Sequence, residues 1–244
     1  MFGYFKTEFS KLLKEIRTID FKTSYIFISI SLILFVSFTV TNVSFYYKFI
    51  GKDFLNSRIY WLVSDGLLMF LVSVISVKFV LKKQLSDFGF TFGDKKFGFL
   101  TVLIFYLFML PLLWIVSASE SFAQTYPQGG PALRENFQLL LLYEICILIY
   151  MLGWEFLWRG YMLFGLKVKL GYYAVFVQMI PFFILHKGKP ELELFGSILA
   201  GIILGIQALR SGSFIYAWIL HSIIMISIDI ISVLRYNLQF YKIF

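Results

Sequence analysis

The 244-residue chain is 59% hydrophobic and only 15% charged, and its formal net charge is +8. A soluble domain carries about 25% charged residues, so this composition excludes an ordinary soluble protein and indicates one integral membrane domain. The basic residues lie between apolar runs, which favours cytoplasmic loops and anionic lipid over nucleic acid as partners. Cys146 is the single cysteine, so an internal disulfide is excluded.

The first 24 residues predict an amphipathic helix that lies on the cytoplasmic surface of the membrane. Lysine and arginine residues occupy the opposite face, and an ordinary amphipathic cap on a helix bundle fits the same pattern. The apolar side chains at helical spacing are Phe2, Phe5, Phe9, Leu12, Leu13, Ile16 and Ile19.

The rest of the chain predicts an all-α, polytopic membrane helix bundle. A spanning helix needs about 20 apolar residues, and seven segments approach or exceed that length, so about seven to eight transmembrane helices are expected. Residues 25–136 hold the N-terminal membrane helices, and residues 137–235 hold a second membrane region. The seven candidate spans are 25–47, 59–81, 98–118, 137–165, 172–188, 193–209 and 213–234.

Charge asymmetry between loops predicts the orientation. Residues 82–97 contain four lysines, whereas residues 119–136 contain Arg134 as their only basic residue. Basic loops stay in the cytoplasm, so the N-terminus is expected inside and the C-terminus outside a bacterial cytoplasmic membrane. Basic residues between the first two spans argue weakly against this orientation.

Four ionisable residues interrupt the apolar segments. Glu155 and Arg159 are four residues apart and share one helix face, while His186 and His221 are the only histidines. Ionisable groups in hydrocarbon are costly and mark function by default. Their positions along three predicted spans place Glu155, His186 and His221 at similar depth, so we expect them to converge.

Two imidazoles and a carboxylate can hold or activate water. His186 and His221 could bind Zn²⁺, which would lower the pKa of a bound water, or Glu155 could act as a general base. Both routes lead to hydrolysis of a peptide bond. Two other interpretations are a structural ion pair with interhelical hydrogen bonds, and an aspartyl site formed by Asp65 and Asp229, which lack a G-x-G-D context.

Three short segments together resemble a known family. They are EFLWRG (155–160), FFILH (182–186) and HSIIM (221–225). Their order, E-x-x-x-R-G, F-x-x-x-H and H-x-x-x-N/D, is similar to that of the CPBP intramembrane proteases, which include the CAAX prenyl endopeptidases. The resemblance covers about residues 137–235. It implies a bundle of about eight membrane helices and endoproteolysis of a membrane-associated peptide substrate.

The chain departs from the family pattern at two positions. Trp154 stands where the family has the first of two adjacent glutamates, and Met225 stands where it has asparagine or aspartate. Asp229 lies one further turn along the same helix face and could replace that residue. Glu144 and Glu193 are additional carboxylates that could complete the site.

These observations assign a role to each candidate residue. Glu155 activates water directly or through His186, Arg159 positions Glu155, and Asp229 orients His221. The two histidines bind water or metal and polarise the scissile carbonyl. The alternative is a catalytically inactive relative that acts as a membrane scaffold or immunity-type protein. A proton-coupled transporter is disfavoured because the chain lacks an internal repeat.

Overall fold

The computed structural model describes residues 1–237, which form an all-helical bundle. The α-helices of this part are α1 (Phe2–Ile16), α2 (Phe21–Thr39), α3 (Val43–Phe49), α4 (Phe54–Ile75), α5 (Lys95–Val116), α6 (Glu120–Thr125), α7 (Ala132–Glu135), α8 (Phe137–Glu155), α9 (Leu163–Leu170), α10 (Tyr173–Ile184), α11 (Glu191–Ser211) and α12 (Ile215–Asn237). Two π-helical segments also occur: Ser76–Val80 extends α4, and Phe156–Met162 joins α8 to α9.

The predicted polytopic membrane bundle is confirmed. Within residues 1–237, six helical runs are long and apolar enough to cross a bilayer, and α10 is a shorter apolar helix. Each of the seven predicted spans therefore corresponds to a helix. The six long runs are Phe21–Thr39, Phe54–Val80, Lys95–Val116, Phe137–Leu170, Glu191–Ser211 and Ile215–Asn237.

Two predicted boundaries differ from the structure. The segment 25–47 divides into α2 and α3, because Asn42 ends one helix and caps the next by accepting a hydrogen bond from the Phe45 N–H at 2.9 Å. The segment 172–188 contains only the 12 residues of α10. His186 therefore lies in the turn that follows this helix, before Gly188 adopts a positive φ of 93°.

Polar N-caps set the start of several helices. A capping side chain accepts a hydrogen bond from a backbone N–H that the first turn leaves unpaired. Asp94, for example, accepts from the Phe97 N–H at 3.1 Å at the start of α5. The residues that cap in this way are Asp20, Asn42, Asp53, Asp94, Ser119 and Asn136.

The N-terminal helix α1 is exposed along its whole length and buries none of its side chains. Its apolar face, which includes Phe5 and Phe9, is exposed within residues 1–237. The placement of α1 on a cytoplasmic membrane surface stays a prediction.

Close packing of α8 against α4 fixes the centre of the bundle. A Cβ added at Gly153 would lie 2.0 Å from the Gly66 carbonyl oxygen, and a Cβ at Gly66 would lie 2.6 Å from the Tyr150 Cα. Only glycines permit this approach, as in small-residue contacts between membrane helices. The contact fixes α8 against α4 at Gly153, which directly precedes Trp154 and Glu155.

A second small-residue contact joins α10 to α11. The spacing of Ser197, Gly201 and Gly205 predicts a packing face, and this is confirmed: a Cβ at Gly201 would meet the Met179 side chain at 2.7 Å. Gln178 donates a hydrogen bond to the Gly201 carbonyl at 2.7 Å. This contact holds α10, and hence the turn that carries His186, against α11.

The bundle has two ends, which successive spans reach alternately. At one end the Asp94 N–H donates to the Ser211 carbonyl at 2.8 Å. At the other end Ser232 donates to the Tyr126 carbonyl at 2.7 Å. The first end carries the basic loop that the charge pattern predicts to be cytoplasmic, and this orientation stays a prediction.

Candidate active site

The site begins where α8 changes from α-helical to π-helical geometry. Glu155 is the last residue of α8, and Arg159 lies in the π segment that follows. Both side chains are 0% exposed, and Arg159 Nη1 donates to Glu155 Oε1 at 3.0 Å. The predicted pairing is therefore confirmed. Short π segments inside helices often occur at functional sites.

His221 completes a three-residue cluster with this pair. It lies on α12, and its Nδ1 is 2.6 Å from Glu155 Oε1. A carboxylate oxygen only accepts, so we infer that Nδ1 carries a proton and donates it. The other ring nitrogen, Nε2, is then an acceptor in the neutral imidazole. We call Glu155, Arg159 and His221 the inner cluster.

His186 has the same tautomer by a different contact. Its Nδ1 lies 2.7 Å from the carbonyl oxygen of Phe182, one turn earlier. A carbonyl oxygen cannot donate, so Nδ1 donates and Nε2 is again the acceptor. Within residues 1–237, this is the single side-chain hydrogen bond of His186, so it lacks the direct bond to Glu155 that His221 makes.

Phe182 holds these groups in place, although sequence reasoning gave it no role beyond opening the F-x-x-x-H segment. Its ring centroid is 4.5 Å from that of His186 and 5.9 Å from that of His221. The Arg159 guanidinium lies 3.9 Å from the same ring, at a distance that permits a cation–π contact. One aromatic ring therefore packs against both histidines and covers the buried cation.

A cavity of about 70 Å³ lies beside both histidines. One water accounts for about 30 Å³ of the liquid, so the cavity has room for a few waters. Its wall is mainly apolar and aromatic. The residues around it are Trp61, Leu62, Gln128, Ile147, Tyr150, Met151, Trp154, Leu185, His186, Lys189, Glu193, His221 and Met225.

A second polar group, which we call the outer cluster, stands at this cavity: Tyr126, Lys189 and Glu193. Tyr126 donates to Glu193 Oε2 at 2.6 Å and accepts from Lys189 Nζ at 2.8 Å. Burial lowers the pKa of Lys189 and raises the pKa of Tyr126. Glu193 was a candidate from sequence, whereas the other two were missed because they lie in loops without a motif.

Asp229 does not take the role that the sequence suggests. It is buried, and its carboxylate accepts a hydrogen bond from the backbone N–H of Gln128. Eight residues of helix separate it from His221 by about 12 Å, which is beyond the reach of an aspartate side chain. The carboxylate that orients His221 in the structure is Glu155.

The remaining acidic candidates in the spans lie away from the cavity. Glu144 precedes Glu155 by eleven residues, or about 16 Å along α8, and within the described chain neither of its carboxylate oxygens has a hydrogen-bond partner. Asp65 accepts a hydrogen bond from Thr41 at 2.7 Å. Neither side chain lines the cavity, and Asp229 does not line it either. The aspartyl interpretation, which pairs Asp65 with Asp229, therefore has no geometric support.

The donor set does not fit a catalytic zinc ion. Such a site needs three protein ligands. In the part of the chain that the structure describes, no group of three or more His, Cys, Asp or Glu side chains is placed to hold a metal. His186 and His221 offer two imidazoles, and Glu155 Oε1 already accepts two hydrogen bonds, which leaves Oε2 as the unpaired oxygen of this carboxylate in the described chain.

One comparison with known proteins gives a match, and it lies in the second half of the bundle. The family model described as Type II CAAX prenyl endopeptidase Rce1-like matches residues 136–227. No curated protein and no solved structure matches the chain. The matched region runs from the start of α8 into α12 and contains the inner cluster and His186. Residues 136–227 are therefore similar to the Rce1-like type II CAAX prenyl endopeptidases, and the match covers less than half of the chain.

Proposed function

We propose that the chain is an intramembrane endopeptidase that hydrolyses a peptide bond of a membrane-associated protein or peptide. The observation that carries this proposal is Glu155 Oε1, which accepts hydrogen bonds from both Arg159 and His221 at complete burial. A purely structural ion pair would need only the arginine. The added imidazole, which leaves an acceptor nitrogen on a residue of the cavity wall, supports catalysis over an inactive scaffold.

His221 is the general base of the proposed reaction. Its Nε2 removes a proton from water while the water oxygen bonds to the scissile carbonyl carbon. Glu155 holds the ring through Nδ1 and stabilises the imidazolium that forms, as the acid of a Ser-His-Asp triad does for its histidine. Glu155 thus acts through His221 rather than on water itself.

His186 holds the same water. With its Nδ1 proton committed to the Phe182 carbonyl, its Nε2 accepts the second hydrogen of the water. A water that donates to two imidazoles keeps its lone pairs free for attack on the carbonyl carbon.

Peptide cleavage follows when the tetrahedral intermediate collapses. The carbon–nitrogen bond breaks, and the His221 imidazolium gives its proton to the leaving amine. This transfer returns His221 to its neutral form. The new carboxylic acid then loses its own proton to water, so the products are a carboxylate and an amine. Arg159 keeps Glu155 in position throughout, because its guanidinium compensates the buried negative charge.

The test compares wild type with Glu155→Gln in purified proteoliposomes. Each protein is incubated with a peptide library and with membrane proteins, and new peptide ends are counted by mass spectrometry. We expect cleavages in the wild type that Glu155→Gln lacks. Glu144→Gln is the matched control, since it alters another buried glutamate of α8 that bonds neither histidine nor Arg159 in the described chain. Identical peptide ends in all three samples would contradict the proposal and favour the scaffold.

A further inference from the structure

Trp154 occupies the position at which the family pattern has a glutamate, and it lines the cavity beside the inner cluster. Its side chain is 5% exposed, and within residues 1–237 its indole Nε1–H has no hydrogen-bond acceptor. Buried indole N–H groups usually have a partner, and leaving one without costs about 1–3 kcal/mol. Trp154 therefore brings an unpaired, buried donor to the wall of the cavity.

The proposed reaction creates a need for such a donor. When water attacks, the carbonyl π electrons move to oxygen, and the resulting oxyanion requires hydrogen-bond donors. His186 cannot supply one, because it donates its Nδ1 proton to the Phe182 carbonyl and presents an acceptor Nε2, and the proton that His221 gains on Nε2 goes to the leaving amine. Met225, at the position of the family's asparagine or aspartate, has no donor at all.

Two other donors on the cavity wall, Lys189 and Gln128, are less suited to this task. Lys189 already donates to Tyr126 at 2.8 Å and lies 3.6 Å from Glu193. Gln128 belongs to the loop on the side of the outer cluster. Trp154, in contrast, directly precedes Glu155, and its ring centroid is 6.0 Å from that of His186 in an edge-on arrangement.

We propose that Trp154 is a catalytic residue whose indole Nε1–H donates a hydrogen bond to the oxyanion of the tetrahedral intermediate. This inference rests on the proposed peptidase function. The indole keeps its proton throughout, so the water proton still passes through His221 to the leaving amine. The substitution at position 154 thus removes a possible base and supplies a neutral donor, while the Glu155–His221 pair does the work of the base.

Trp158 provides a matched control for this proposal. It is 0% exposed, its Nε1–H also lacks an acceptor in the described chain, and its ring centroid is 5.8 Å from that of Trp154. It does not line the cavity. A phenylalanine at either position removes one indole N–H and a similar volume, so only the contact with the reacting atoms differs.

The experiment measures kcat and KM for a peptide whose cleavage requires Glu155. We expect Trp154→Phe to lower kcat by about 10²- to 10³-fold, as for loss of one oxyanion donor, with KM changed less than about twofold because the ground-state carbonyl binds weakly. Trp158→Phe is expected to keep kcat. Replacing Trp154 with benzothienylalanine keeps the ring shape and removes only the N–H, so it separates catalysis from folding.

Three results would overturn the inference. Wild-type kcat in Trp154→Phe or in the benzothienylalanine protein would show that the N–H is not used. Equal losses in the Trp154 and Trp158 variants would indicate packing. A higher kcat in Trp154→Glu would show that the position serves as a base. Glu155-dependent cleavage that survives loss of the indole N–H refutes this inference alone, whereas the absence of any Glu155-dependent cleavage refutes the peptidase as well.

Discussion

Two polar clusters belong to the same cavity region and differ in their exposure to water. In the inner cluster, Glu155 and Arg159 are 0% exposed, and both contacts to Glu155 are 3.0 Å or shorter. In the outer cluster, the side chains of Lys189 and Glu193 are 18% and 22% exposed, and their ion pair is 3.6 Å long. The Glu155–Arg159 pair is excluded from water, whereas the Lys189–Glu193 pair is partly hydrated.

The difference indicates which cluster serves function. Taking two charges fully out of water costs several kcal/mol per ion, and an apolar pair of similar volume is often as stable. The inner cluster is therefore poorly explained by stability alone. Partly exposed ion pairs contribute about 0–1 kcal/mol, so the outer cluster can change with modest effect.

The largest expected effect is the loss of the imidazole in the inner cluster. His221→Ala removes the general base, and we expect the cleavage rate to fall by about 10³-fold or more. His186→Ala removes only one of two acceptors for the water, so a fall of about 10- to 100-fold is expected. Initial rates of peptide cleavage in proteoliposomes measure both, and a larger loss in His186→Ala would reverse the assigned roles.

The second-largest effect is expected when the buried Arg159 guanidinium is removed. Arg159→Ala leaves Glu155 without its arginine partner in the dry interior, and breaking a buried pair in this way costs about 3–5 kcal/mol. We expect less folded protein in membranes and a lower unfolding temperature. Arg210→Ala is the control, because its pair with Asp94 is exposed. Equal yields of the two variants would show that Arg159 has no structural role.

The outer cluster should respond more weakly. Tyr126→Phe removes the hydroxyl that links Lys189 to Glu193, and Lys189→Met removes the ion pair. We expect each change to alter kcat/KM by less than about tenfold, because neither group contacts the reacting atoms. Peptide kinetics measure this. A loss as large as that of His221→Ala would mean that the outer cluster belongs to the catalytic machinery.

The smallest effect is expected at an exposed pair that has no role in catalysis. The Phe97 N–H and the Arg210 guanidinium lower the pKa of Asp94. Its charge therefore stabilises the fold above its ordinary pKa, and this contribution disappears as the pH falls through the lowered value. Asp94→Asn keeps the N-cap, so it should lower the unfolding temperature slightly at pH 7, and this difference should shrink as the pH falls below the ordinary pKa of aspartate.

Asp53→Asn is the control for that comparison. Asp53 caps α4 by accepting from the Asn56 N–H at 2.7 Å, and within residues 1–237 it has no salt bridge. A shift at pH 7 as large as that of Asp94→Asn would mean that Arg210 contributes nothing to the Asp94 effect.

Much of the fold was predictable because membrane helices need long apolar runs and intramembrane charges are rare. Four-residue spacing likewise predicted the Glu155–Arg159 pair. The short α10 and the outer cluster could not be predicted, because they depend on how the turn after α10 meets a distant loop. The Asp229 assignment failed because sharing a helix face with His221 does not bring the two side chains into contact.

The most direct test of the central claim is a double-mutant cycle between Glu155 and His221. If Glu155 acts through His221, then Glu155→Gln, His221→Ala and the double variant should cleave peptide at similarly low rates, since residues that act as a unit are not additive. The measurement is kcat for a single peptide in proteoliposomes. Losses that multiply in the double variant would show that the two residues act independently and would contradict the claim.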